Sequence, residues 1–285
     1  MKVKGIVCMT VACLTIAVGN GLVSCVEKKT EKIPAVCELK VDTVVYLHES
    51  QQSPSCKITI NYAFLKPNSE TDSATLRINS EIRNFAFGKT LSALAPEKFV
   101  QSITDTYAQN YLNDVKELYE ADLHNGMKPE DVPAWYNYEY QIDTEMELGK
   151  EEKVWNYVVT DFQYTGGAHP NTFVKCLNID RETGQLLTTE KVFKKEASAK
   201  ICPLILDELI KEVNGRMGTD TITSIAGLQS IGILLDTDLY VPENFVLGKD
   251  GVSFYYNRYE IAPYSAGDFN LMIPYDKLDD CFKTY

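Results

Sequence analysis

Apolar and polar residues alternate with a period of two along several stretches of this chain. Leu39, Val41, Val45 and Leu47 alternate with Lys40, Asp42 and His48, and Ile58, Ile60, Tyr62 and Phe64 with Lys57, Thr59 and Asn61. A strand points successive side chains to opposite faces, so both runs predict half-buried strands. The longest alternation sets Tyr136, Tyr138, Tyr140, Ile142, Met146 and Leu148 against Asn137, Glu139, Gln141, Asp143, Glu145 and Glu147. The tyrosine row reads as core packing in preference to a sugar-stacking platform. Gly149-Lys150-Glu151 turns the chain into another strand at 154–164. Further strands are expected at 172–179 and, after a tight turn at 180–184, at 185–192. Two short runs, 245–247 and 252–254, flank a glycine-bounded turn as a hairpin, and 271–274 forms the last strand.

Elsewhere the period lengthens to that of a helix. Leu76, Ile78, Ile82 and Phe85 are spaced for one face of a helix over 73–87. Pro96 suits the first turn of a longer one, whose stripe is Phe99, Ile103, Tyr107, Tyr111, Val115, Leu118 and Tyr119 and whose stop is Asn125-Gly126. A third helix is expected over 196–213, with Pro203 implying a late start or a kink. Residues 214–241 are loosely patterned around a short helix, and 261–267 form a loop. Strands and helices do not alternate regularly. The fold class expected is α+β, in two small domains (35–150 and 151–285), each a mostly antiparallel sheet packed against helices.

The amino end departs from this pattern. Lys2 and Lys4 precede an apolar run, 5–18, that is too short to span a bilayer and ends in Leu22-Val23-Ser24-Cys25. These residues resemble the lipobox of bacterial lipoprotein signal peptides. The resemblance implies a leader over 1–24, a lipid carried on Cys25, and a polar tether over 25–34. The expected place is the bacterial cell envelope, outside the cytoplasm and anchored to a membrane without spanning it. That place is the outer membrane or cell surface if the cell has two membranes, with the leaflet left open.

Charge then narrows the partners. The chain has 285 residues with 28 Lys and Arg against 40 Asp and Glu, a formal charge of −12. Removing the leader takes two lysines and no acid, so the remainder is more acidic still. Nucleic acid is repelled by such a surface and is excluded as a partner, whereas basic proteins are favoured. Of 8 cysteines, Cys37, Cys56, Cys176, Cys202 and Cys281 remain after leader cleavage and lipidation, an odd number that leaves at least one thiol free. Their pairing stays open, although Cys37 and Cys56 would fall at opposite ends of a hairpin.

Candidate chemistry is sparse. There are 3 histidines, His48, His124 and His169, none at metal-ligand spacing, and no C-x-x-C or phosphate-binding glycine motif occurs. No metal, cofactor or catalytic residue is assigned. His169 sits in a glycine-rich turn, where it reads first as a turn-locking side chain and second as a base acting with Glu260.

Two groups of residues look familiar as a family signature. Tyr164-Thr165-Gly166-Gly167-Ala168-His169-Pro170-Asn171, then Asn178-Ile179-Asp180 with Thr183-Gly184, form the first. Phe245, Asp250-Gly251, Tyr259-Glu260-Ile261-Ala262-Pro263-Tyr264, Gly267 and Ile273-Pro274-Tyr275 form the second. Together they resemble the extracytoplasmic domain of RsiV-type anti-sigma factors and PdaC-type peptidoglycan deacetylases, and 35–145 is more distantly similar to the smaller domain that precedes it there. The resemblance implies a non-catalytic binding or sensing module whose partner is a lysozyme-like basic protein or cell-wall glycan. The residues expected to meet that partner are Gly166, Gly167, His169 and Asn171 in one loop, and Tyr259, Glu260, Pro263 and Tyr264 in another. Two other readings stay open: an envelope enzyme acting on peptidoglycan or glycan, and a structural envelope lipoprotein.

Overall fold

A computed structural model describes residues 8–13, 33–48, 53–69 and 71–283. Cys25 and the tether up to residue 32 lie outside the described residues. The chain divides into two units, 1–146 with 163–170, and 147–162 with 171–285. The architecture is α+β, as the interspersed periods predict.

The first unit holds β1 (Cys8–Cys13), β2 (Val36–Tyr46), β3 (Ser55–Leu65) and β4 (Tyr138–Leu148), adjacent in that order, with helices α1 (Ser73–Phe87) and α2 (Pro96–His124). β1 falls inside the stretch read as a leader and pairs antiparallel with β2, Val11 opposite Leu39. Cleavage ahead of Cys25 would remove it and leave β2 at the sheet edge. β2 and β3 form the expected hairpin. Its register sets Cys37 opposite Phe64 and Val45 opposite Cys56, so the two cysteines do sit at opposite ends.

β3 and β4 then pair in parallel, Ile58 opposite Tyr140 and Ile60 opposite Ile142. A parallel step needs a long crossover, and α1 and α2 supply it, both packing on β3. Their inward faces differ from the expected stripes. Leu76 is 46% exposed and Leu118 48% exposed, while Thr75, Asn79 and Arg83 are buried beside Ile78 and Ile82. The polar residues win those places because the end of β3 needs partners. Leu65 N–H donates to Asn79 Oδ1 at 2.9 Å, and Asn79 Nδ2 donates to Leu65 C=O at 2.7 Å. Arg83 likewise donates to the Tyr62 hydroxyl at 3.0 Å and to Ser92 C=O at 3.0 Å. Asp72 caps α1, and the backbone N–H groups of Asn68 and Thr75 hold its carboxyl below the usual range. The tyrosine row is core, as read: Tyr140 is buried, and its ring stacks on Tyr107 with centroids 4.2 Å apart.

The second unit contains most of β5 (Val154–Tyr164), then β6 (Asn171–Asp180), α3 (Thr189–Val192), α4 (Ser198–Met217), α5 (Ile225–Ser230), β7 (Phe245–Leu247), β8 (Gly251–Tyr256) and β9 (Phe269–Pro274). β7, β8 and β9 make an antiparallel sheet against which α4 packs through β9. Ile201, Ile205, Leu209 and Val213, one per turn of α4, join Phe245, Phe254, Phe269 and Leu271 in a single core. Each such side chain contributes about 1.5–3 kcal/mol when removed from water. Pro203 neither delays nor ends the helix. It and Ala199 are exposed, so the Ala199 carbonyl that loses its helical partner can meet water.

The strand expected at 185–192 does not form. A lone bridge joins Ile179 to Leu186, after which Thr188 C=O accepts the Lys191 and Val192 N–H groups and the chain winds into α3. β6 and β7 are therefore joined by side chains. Asn178 Nδ2 donates to Phe245 C=O at 2.8 Å while its Oδ1 accepts Leu247 N–H at 2.7 Å. Asn244 returns the arrangement, accepting Cys176 N–H at 2.7 Å and donating to Val174 C=O at 2.9 Å. Asn257 does the same for both main-chain groups of Val174, at 2.7 and 2.9 Å. A carboxamide carries the same donor and acceptor as a peptide, so side chains replace a missing ladder.

Candidate functional site

The second unit carries a surface cleft of about 410 Å³, bordered by Leu235, Asp236, Thr237, Tyr259, Glu260 and Pro263. Asn257, fixed on β6, starts one wall. Arg216 near the end of α4 fixes where that wall finishes, donating to Ala266 C=O at 2.8 Å and Asp268 C=O at 2.7 Å with its guanidinium 4.5 Å from the Phe269 ring. Between these anchors Tyr264–Ala266 makes one tight helical turn. The other wall follows α5, and Leu234 N–H donates to Ile261 C=O at 2.7 Å to join the two.

Both walls hold a non-glycine residue in the left-handed region: Leu234 at φ 56° and Tyr259 at φ 69°. Leu234 is buried and repays its conformation with the bond to Ile261. Tyr259 is 61% exposed, as is Leu235 across the cleft. The Tyr259 and Tyr264 rings lie 5.8 Å apart, and the Arg258 guanidinium sits 4.5 Å over Tyr264. Glu260 accepts from Tyr240 at 3.3 Å and from Asn257 Nδ2 at 3.4 Å. Burial, reinforced by the Glu260 charge and hydrogen bond, pushes the Tyr240 hydroxyl up to about 12, so it remains a donor at neutral pH. The cleft thus combines exposed apolar surface with the carboxylates of Asp236 and Glu260.

Tyr259, Glu260 and Pro263 line this cleft, and Tyr264 packs beside it. Gly166, Gly167 and His169 instead belong to the first unit, and Asn171 opens β6 in the second. The two loops named from sequence therefore do not come from one unit. Gly166 has a structural reason for being glycine: at φ 81°, a Cβ would lie 2.3 Å from the Trp135 carbonyl oxygen. His169 is exposed, its Nδ1 3.3 Å from Pro170 O. Sequence reading missed the Leu234–Thr237 wall, because a buried left-handed leucine and an exposed leucine leave no periodic trace. The second unit contains none of the three histidines. Among the described residues no group of acids, cysteines and histidines is placed to hold a metal, and no helix is long and apolar enough to cross a membrane. Cys56, Cys176, Cys202 and Cys281 are thiols outside any disulfide.

Comparison with known proteins places this geometry. Residues 190–276 match the family described as a protein of unknown function, DUF3298. A crystal structure of a DUF3298 protein from Bacteroides fragilis is 26% identical, covering 88% of this chain and 94% of its own at a TM-score of 0.77. Another, from Pseudomonas aeruginosa PAO1, shares the fold at 16% identity and a TM-score of 0.51, covering 89% of this chain and 96% of its own. Immunogenic protein MPT64 of Mycobacterium tuberculosis is 25% identical over 43% of this chain and 49% of its own length. Esterase Rv3036c of the same organism is 30% identical over 47% of this chain and 57% of its own. The chain spans about half the length of the curated relatives it matches. Residues 190–276, which form α4, the cleft and the sheet beneath them, are thus the part of the chain that is similar to DUF3298, a family described as of unknown function.

Proposed function

We propose that the protein is a lipid-anchored, extracytoplasmic binding module of the RsiV type, held to the membrane through Cys25, that captures a basic protein such as a lysozyme through the Tyr259–Pro263 cleft. The observation that supports this most is Tyr259. A bulky side chain in left-handed backbone costs about 1–3 kcal/mol, and here it is spent on a ring that faces water. A residue serving only the turn would be glycine or asparagine. An exposed aromatic beside a proline and flanked by carboxylates suits the long basic side chains of a partner. The overall charge of −12 would steer such a partner inward.

Calorimetry against hen-type lysozyme tests the reading at low and physiological salt. The expected result is binding that weakens with salt and drops about 30-fold or more in Tyr259→Ala, the scale of an interface hot spot. No binding at either salt, or association rates indifferent to salt, would overturn it.

A hydrolytic reading draws on the likeness to the esterase, with Ser265 exposed in the turn beside the cleft. The second unit offers that serine no histidine. Release of p-nitrophenol from a short-chain ester, lost in Ser265→Ala, would favour this reading instead.

A further inference from the structure

A separate hollow of about 660 Å³ opens beside the start of α4, within the second unit. Lys191, Lys194, Lys195 and Lys283 all line it. These four lysines line it in a chain whose acids outnumber its bases, 40 to 28, with Glu190 the one carboxylate on the lining. Lys191 turns its ammonium to Leu186 C=O at 2.9 Å, which leaves the other three for the hollow. Lys194 Nζ donates to Asp280 C=O at 2.8 Å, and Lys283 Nζ to Glu190 C=O. Carbonyls position these groups without neutralising them, and among the described residues neither pairs with a carboxylate. Lys195 is exposed and makes no hydrogen bond or ion pair among those residues. Clustered like charges repel unless an anion lies among them. The amino end of α4 adds to the same field: Ser198 lines the hollow, and the first turn has neither an acidic residue nor a side-chain cap. Phe193 and Val241 give it an apolar side. Its volume falls in the range of small-molecule sites, above what a bare ion fills.

We infer that this hollow binds a phosphate-bearing ligand, with the phosphate among Lys194, Lys195 and Lys283 and the rest of the molecule over Phe193 and Val241. A multiply charged anion answers several ammonium groups at once, as a single carboxylate does not. The source is either a soluble phosphate ester or the headgroup of an anionic phospholipid. The site does not depend on the cleft, whose lining is different.

The whole chain should be titrated with glycerol phosphate and pyrophosphate, and separately with vesicles of phosphatidylglycerol against vesicles of phosphatidylcholine. Replacing all three of Lys194, Lys195 and Lys283 by Gln should weaken binding tenfold or more, while Lys211→Gln, outside the hollow, leaves it unchanged. Response to the soluble esters alone identifies a soluble ligand, and response to phosphatidylglycerol alone identifies a headgroup; either supports the site. No response to any probe, or binding that survives the triple substitution, overturns it. Should the triple variant not fold, exposed Lys195→Glu alone must weaken binding at least fivefold, or the inference falls.

Discussion

The two units hold their strands together by different means. In the first, β2, β3 and β4 form an unbroken ladder, and side chains intervene only where it ends, as Asn79 does at Leu65. In the second, Asn178 and Asn244 stand where ladder bonds between β6 and β7 would be, and Asn257, just past the end of β8, grips β6 at Val174. A ladder spreads its strength over many equivalent bonds, so losing one costs little. An amide bridge concentrates the same task in one residue. Buried asparagines in the second unit should therefore be far less replaceable than their number suggests.

The largest test of that contrast is Asn178→Ala. It strands Phe245 C=O and Leu247 N–H in the core, and at about 1–3 kcal/mol for each unsatisfied group the loss should be near 4 kcal/mol in urea denaturation. Hydrogen exchange should show the Leu247 amide losing protection while the β3 amides of the first unit keep theirs. If both units lose protection alike, the contrast is wrong.

Alkali probes what the units share. Burial, with the Glu139 charge adding to it, pushes the Cys56 thiol in the first unit up to about 12, and burial alone does the same for Cys176 in the second. A pKa raised by folding stabilises fully below the ordinary thiol value near 9.0 and is lost as the pH climbs toward 12. Melting temperatures should fall across that window, and Cys56→Ala or Cys176→Ala should each flatten part of the fall.

Tyr259→Gly sharpens the comparison between scaffold and surface. Relieving the left-handed strain should raise stability by about 0.5–1 kcal/mol, less than the full strain because glycine also frees the unfolded chain. Lysozyme binding should fall in the same variant. A variant that loses both stability and binding would make Tyr259 part of the scaffold. The smallest effect is expected on the surface of the first unit, where Lys57→Gln breaks a 3.2 Å pair with Glu139 that is exposed on both sides. Its cost should stay under about 0.5 kcal/mol.

The sequence makes the strands and helices legible wherever one face is apolar, which is why β2, β3, α2 and the β7–β8 hairpin fall where their periods put them. It misleads where a polar residue is needed inside. Asn79 and Arg83 occupy places that hydropathy assigns to Leu76, and Asn178 reads as one letter of a signature until Phe245 and Leu247 are beside it. The parallel step from β3 to β4 was equally hidden, since alternation does not encode strand direction. Of the site, Tyr259, Glu260 and Pro263 were legible as a motif. The opposite wall was not, because backbone handedness at Leu234 has no sequence period, and the lysines of the hollow are scattered from 191 to 283.

The asparagine bridges also bear on how far such a sequence can drift. Each amide grips main-chain atoms, which every residue supplies, so Val174, Cys176, Phe245 and Leu247 are free to exchange for any side chain the core accepts. Distant relatives should then differ at the gripped positions and agree at the gripping ones. A fold tied in this way can keep its shape while most of its letters change, as the Bacteroides fragilis protein does at 26% identity.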